Sequence, residues 1–212
     1  PARRPAVRFP PGATDCHAHV FGPQTRYPLL ADTHFVPHET PWTDYAAMLT
    51  SIGCERAVLV QPSVYGTNNS AIEDALAATR AIDLRAVAVV APDISERELE
   101  RLHGAGFRGI RINIAAPTRG LRLEHAQILA PRIRDLGWHL QFYADFAKQP
   151  EAANVLAALP VPIVIDHFAN VPAAAGVESS GFKTLLRLLA RENCWAKLSA
   201  PYLVSQAVPR FD

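Results

Sequence analysis

Short apolar runs rich in β-branched residues alternate along the chain with longer segments of helical periodicity. The runs predict strands over 13–21, 56–61, 85–91, 107–114, 138–143, 161–166 and 194–199. The segments between them predict helices over 43–51, 69–82, 96–105, 123–136, 150–159 and 182–192. Gly53, Gly104, Gly106 and Gly137 fall near helix ends, and Asn69 or Ser95 is placed to serve as an N-cap. The strands are apolar on both faces, as in a parallel sheet covered by helices. Repeated βα units close either as an open doubly wound sheet or as a (β/α)8 barrel. No GxGxxG follows the first strand, which disfavours a dinucleotide fold. The predicted class is therefore α/β, a (β/α)8 barrel whose last strand lies outside this sequence, because seven strands are present where a barrel has eight. Residues 1–12 read as an N-terminal extension and 13–212 as one barrel domain, C-terminally incomplete. The segment 22–41 is the longest without a predicted element and follows strand one, where a barrel carries a functional loop.

Composition narrows the class of partner. The 212 residues are 49% hydrophobic and 19% charged, with a net charge of +1 at pH 7. That balance leaves no electrostatic footprint for nucleic acid or an anionic membrane. The longest apolar stretch, 86–91, is far short of the about 20 residues of a membrane span. The Arg- and Pro-rich N-terminus has no apolar h-region. Three cysteines, 16, 54 and 194, are far apart and form no CxxC, so neither a disulfide framework nor a zinc knuckle is expected. The expected compartment is the cytoplasm.

Candidate chemistry gathers at the predicted strand ends. In Asp15-Cys16-His17-Ala18-His19, strand alternation puts Asp15, His17 and His19 on one face. Two imidazoles at i and i+2 at the end of an inward-facing strand can address one atom, a metal ion or a substrate oxygen; the alternative is a pair of structural histidines. Asp166-His167 ends an apolar strand and places a third imidazole at the C-terminal mouth. Arg111 and Asn113 share a face of the fourth strand. A guanidinium there calls for an anion, because an unpaired buried charge is costly: a substrate carboxylate held by paired hydrogen bonds, or a structural partner such as Asp145. Arg119 follows in the next loop, as a second anion contact or a solvated arginine. Gln141 and Tyr143 end strand five, Ser63 and Tyr65 follow strand two, and Lys197 and Ser199 end strand seven. Polar groups delivered to one rim by most strands make the pattern of an active-site mouth.

Residues 14–19 (TDCHAH), 61–66 (QPSVYG), 109–111 (GIR), Asp166-His167 and Lys197-Leu198-Ser199 together resemble the amidohydrolase superfamily. Within it they resemble the lactonase branch that includes 2-pyrone-4,6-dicarboxylate lactonases and sugar-acid lactonases. The resemblance runs from about residue 13 to the end. It implies a (β/α)8 barrel that opens a cyclic ester, with two histidines of strand one, a histidine of a later strand and an Asp ending strand eight around the scissile carbonyl. The histidines map onto His17, His19 and His167. The Asp has no match, and a chain that truly ended at Asp212 is expected to be an incomplete, inactive barrel. The dicarboxylate members carry further arginines after the later His and after Lys-x-Ser. Here those loops read Phe168-Ala169-Asn170 and Ala200-Pro201-Tyr202-Leu203, which points to one carboxylate rather than two. Binuclear members bridge their ions with a Lys or Glu from a middle strand, where this chain offers Gln141.

The expected activity is thus hydrolysis of a small carboxylated lactone, such as a pyrone carboxylate, a muconolactone or a sugar-acid lactone. Arg111, with Arg119 and Tyr143, would anchor the carboxylate, and Ser63 and Gln141 would contact substrate. His17 and His19 would polarise the carbonyl, and His167 would orient the water. No cofactor is expected as the first choice; the alternative is one zinc on His17, His19 and His167. A zinc-dependent decarboxylase or hydrolase of the same superfamily and a non-catalytic binding barrel are the competing expectations.

Overall fold

A computed structural model describes residue 6 and residues 9–33, 35–115 and 120–207. They form two compact units, Pro1–Val90 with Arg97–Arg108, and Ala91–Glu96 with Gly109–Asp212. Among the described residues no helix is long and apolar enough to cross a membrane.

In the first unit, β1 (Thr14–Ala18), α1 (Trp42–Ile52), β2 (Arg56–Val60), α2 (Ser70–Ala78), β3 (Asp83–Ala88) and α3 (Glu96–Ala105) follow one another. The strands pair in parallel, β2 on β3 without interruption from Arg56↔Asp83 to Val60↔Val87. The β1–β2 register is irregular between Asp15 and Ala18. α1 stops at Gly53, whose left-handed backbone (φ 79°) lets its N–H reach the carbonyls of Leu49 and Thr50. α2 ends four residues earlier than the periodicity predicts. Thr79 turns extended there, and its hydroxyl donates to the Ile82 carbonyl (2.8 Å). Asn69 precedes α2 as expected but does not cap it. Its amide donates to the carbonyls of Thr67 (3.0 Å) and Val89 (2.9 Å) and accepts from the Val89 N–H (3.2 Å), tying the exit of β3 to the start of α2.

The second unit is built from β4 (Phe107–Asn113), α4 (Leu123–Arg134), β5 (His139–Tyr143), α5 (Ala152–Ala157), β6 (Ile163–Ile165), α6 (Ser180–Leu189) and β7 (Cys194–Ala196). Its strands are also parallel and in chain order, with Arg111↔Gln141, Gln141↔Val164 and Ile165↔Ala196 as register pairs. β4 and β5 approach closely because Gly109 has no side chain: a Cβ there would meet the His139 ring at 2.6 Å. Trp138, Phe142 and Phe146 are fully buried and fill the core of this unit. α6 begins two residues before its apolar pattern because Ser179 caps it, its Oγ accepting from Phe182 N (3.4 Å).

Several strands are shorter than predicted. β1 stops at Ala18, β6 at Ile165 and β7 at Ala196. The backbone bonding runs one residue further, Asp166 N to Phe142 O and Lys197 N to Ile165 O (both 2.8 Å), before each chain peels away. The chemistry-bearing residues 19, 166, 167, 197 and 199 therefore sit just past the strand ends rather than inside the strands.

Candidate active site

The β1 exit supplies the imidazoles of the first unit. The His17 and His19 rings meet edge to face, with centroids 5.1 Å apart and planes at 83°. His19 Nδ1 lies 2.7 Å from the Val60 carbonyl at the end of β2. A carbonyl only accepts, so Nδ1 carries a proton. Asp15, expected on the same face, is turned to its own backbone instead: its Oδ1 accepts from His17 N (3.1 Å). The register irregularity of β1 breaks the strict alternation on which that expectation rested. The Asp15 carboxylate lies beside the Tyr45 phenol of α1, whose pKa is raised, by burial first and by Asp15 second.

Past β2, Ser63 opens a short 3-10 turn (Ser63–Tyr65) and is exposed, whereas Tyr65 is buried, its hydroxyl accepting from Gly22 N (3.3 Å). Gln61 is fully buried, and its amide holds the loop by donating to the carbonyls of Gly66 (3.1 Å) and Asn68 (2.8 Å). The sequence signal for this role was the Gln-Pro-Ser run itself, which reading for chemistry passed over in favour of Ser63.

In the second unit the strand ends assemble a buried polar network. Arg111 Nε donates to Asp166 Oδ2 (3.1 Å), and Gln141 Nε2 donates to the same oxygen (3.1 Å). Lys197 Nζ donates to Gln141 Oε1 (2.8 Å) and lies 3.6 Å from Asp166 Oδ1. Asp166 and Gln141 are fully buried and Arg111 is 8% exposed. The structural partner of Arg111 is therefore Asp166, not Asp145. The Asp145 carboxylate instead accepts from the backbone N–H groups of Ala147 (3.1 Å) and Lys148 (3.2 Å) and pairs with the Lys148 ammonium (3.0 Å). Gln141, expected at the substrate, has both ends of its amide on protein groups.

Tyr143 joins this network to the histidine. The Arg111 guanidinium carbon lies 5.6 Å from the Tyr143 ring centre, and the Tyr143 and His167 rings are 5.8 Å apart at 72°. His167 Nδ1 is 2.9 Å from Ser199 Oγ. His167, Phe168, Ala169 and Asn170 all have φ between 50° and 54°, four consecutive non-glycine residues in the left-handed region. Each costs about 1–2 kcal/mol there. The turn is held by its neighbours: Asn170 Nδ2 donates to Ala144 O (2.7 Å), Phe146 N to Ala169 O (3.0 Å) and Phe168 N to Lys197 O (3.3 Å). Strain of this kind, clamped at a strand end beside a histidine, is typical of a functional site. Arg119 lies outside the described residues.

Each unit thus brings its own predicted residues together: His17 with His19 in the first, and Arg111, Gln141, Tyr143 and His167 in the second. Ser63 stands on an exposed turn of the first. The family model of the amidohydrolases matches residues 14–212, nearly the whole chain. The chain belongs to the amidohydrolase family. A 2-pyrone-4,6-dicarboxylate hydrolase of Comamonas testosteroni is 32% identical over 209 residues, covering 98% of this chain and 68% of that protein. A 4-sulfomuconolactone hydrolase of Hydrogenophaga intermedia is 31% identical, covering 97% of this chain and 69% of that protein. Among solved structures, a probable 2-pyrone-4,6-dicarboxylic acid hydrolase from Acinetobacter baumannii, with citric acid bound, superposes with a TM-score of 0.79 at 28% identity, over 91% of this chain and 72% of that one. The fold class is α/β of the (β/α)8 amidohydrolase kind, with seven parallel strands among the described residues.

Proposed function

We propose that this amidohydrolase opens the ester bond of a small lactone carrying one carboxylate. The observation that carries this reading is the buried Arg111, set beside Tyr143, whose ring in turn meets that of His167. It is supported by relatives that hydrolyse a pyrone dicarboxylate and a sulfomuconolactone, both lactones with an anionic substituent. Arg111 anchors the substrate carboxylate, with Tyr143 packed against the guanidinium and Arg119 and Ser63 assisting. The guanidinium has five N–H donors in a planar fork suited to a carboxylate, and the bond to Asp166 engages Nε. The loops at 168–170 and 201–203 carry no arginine for a second carboxylate.

His17 and His19 polarise the lactone carbonyl and stabilise the oxyanion that forms as water adds. His167, its Nδ1 beside Ser199, orients the attacking water. The water-activating carboxylate implied by the family resemblance is assigned to no residue of this sequence.

A metal is compatible with the first unit. With Nδ1 donating to Val60, His19 offers Nε2 as a ligand, the arrangement in which metal-bound histidines are held. His17 and His19 would be two ligands of a zinc there, which would supply a water of lowered pKa. In the second unit the carboxylate of Asp166 is already faced by a guanidinium and an ammonium, which disfavours a further cation there. We keep the reaction without metal as the first reading, and the chelation arm of the assay decides it.

The deciding assay offers 2-pyrone-4,6-dicarboxylate, muconolactones and sugar-acid lactones, with and without chelator. Ring opening of one of them that survives chelation supports the reading. Loss of activity on chelation, restored by one equivalent of zinc, replaces it with the metal-dependent version. Binding of these lactones without turnover overturns it.

A further inference from the structure

We propose that Lys197 is a positioning residue for Arg111, acting through the amide of Gln141 and the carboxylate of Asp166; this rests on the reading of Arg111 as the substrate anchor. The four side chains come one each from β4, β5 and the exits of β6 and β7. Arg111 and Gln141 are register partners, and Asp166 and Lys197 each follow the last paired residue of their strands.

A primary amide has two orientations, related by a half-turn about its last torsion, and they exchange donor for acceptor. Beside a carboxylate only the NH2 group is attractive. Lys197 decides which orientation Gln141 takes, because its ammonium sits 2.8 Å from Oε1. The reverse orientation would set NH2 against an ammonium and oxygen against a carboxylate. With the amide fixed, Asp166 Oδ2 receives two donors at 3.1 Å, from Gln141 and from Arg111. These bonds fix the rotation of the carboxylate. The carboxylate and the Tyr143 ring then set the plane of the guanidinium. On this reading Lys197 acts through Gln141 and Asp166 rather than on the substrate, and it settles the direction in which the fork presents its donors. A bidentate contact depends on that direction. The side chains involved have little room to compensate: that of Lys197 is 11% exposed, that of Arg111 9% and that of Asp166 0%.

The test uses Lys197→Met, Lys197→Arg, Gln141→Leu and the double variant Lys197→Met with Gln141→Leu. Steady-state kinetics are measured on a lactone that the wild type opens. Lys197→Met is expected to raise KM about 10- to 100-fold, the usual range for loss of an orienting partner, with kcat little changed. Lys197→Arg, which still donates to Oε1, restores KM. Gln141→Leu raises KM by itself, and adding Lys197→Met to it raises KM by less than Lys197→Met does alone, because the relay is already broken and only the 3.6 Å ion pair to Asp166 Oδ1 is left to lose. A fall in kcat at unchanged KM, or multiplicative effects of the two substitutions, overturns the proposal.

The Arg111 Nε–H resonance gives a reading independent of turnover. It should shift or broaden in Lys197→Met and Gln141→Leu and persist in Lys197→Arg. If the wild type opens no lactone, the functional reading fails while this resonance still decides the role of Lys197. If Lys197→Met does not fold, Gln141→Leu decides: an unmoved resonance there refutes the relay.

Discussion

Arg111 of β4 and Asp166, the residue that follows β6, form an ion pair bridging over Gln141 on the strand between them. Both are buried, so the pair is expected to matter most when one member is removed. Breaking a buried pair from one side typically costs about 3–5 kcal/mol, because the remaining charge is stranded. Asp166→Ala should lower unfolding free energy by that order, measured by denaturant titration. Asp166→Asn keeps a carbonyl acceptor for the Arg111 Nε–H and should cost less. Equal losses in the two variants would show that the charge of Asp166 is unimportant.

His17→Ala and His167→Ala each remove a group assigned to the reacting carbonyl or its water. Loss of one preorganised donor typically costs about 10²–10³ in kcat. Both variants should retain the wild-type unfolding midpoint to within a few degrees, since neither ring lies in the apolar core. Wild-type turnover in both would remove these histidines from the mechanism.

The left-handed turn at 167–170 makes a prediction about stability. Ala169 is fully buried with φ 54°. A β-branched side chain tolerates that backbone worst and overfills the site, so Ala169→Val should cost more than about 2 kcal/mol. Ala169→Gly relieves the backbone but gives up a buried methyl, so it should lie within about 1 kcal/mol of the wild type. Thermal unfolding of the three proteins separates these outcomes.

Gly109→Ala tests the close approach of β4 to β5. The added methyl would sit 2.6 Å from the His139 ring. Its cost should be about 1–3 kcal/mol, and His139→Ala should recover most of it. Additive losses in the double variant would refute the contact as the cause.

A buried thiol and a half-buried phenol predict a decline in stability at high pH. Burial pushes the Cys194 thiol up to about 11 from an ordinary value of 9.0. Burial, and then Asp15, raise the Tyr45 phenol above its ordinary 10.0. The unfolded chain therefore loses these protons first, so the stabilisation is complete below pH 9 and falls as pH rises from there. Cys194→Ala should flatten the fall between pH 9 and 11, and Tyr45→Phe the fall above pH 10. An unchanged slope in Cys194→Ala would contradict the assignment.

Much of the fold was legible because parallel βα units write themselves as apolar runs and helical periods. All seven strands and six helices occur close to their predicted positions. The ends were less legible. Strand six reads as six residues because Val161 and Asp166 continue its apolar and extended character, yet only three complete the paired strand. The candidate residues were legible as residue types at strand ends, but not their partners. Asp145, two residues past β5, was offered as an example of a structural partner for Arg111. The arginine instead reaches past that strand to Asp166, a choice made by side-chain length and by the Gln141 amide. The turn at 167–170 carries no glycine to announce its positive φ values, and only Asn170 hints at them.

That turn has a consequence for how the protein comes apart. Residues 167–170 occupy a backbone they would abandon in isolation, and bonds to the β5 and β7 exits hold them there. The histidine is therefore only as well placed as those two exits are intact. Fraying of β7 would release the ring before any core residue is wetted, making His167 an early reporter of local opening rather than a late one.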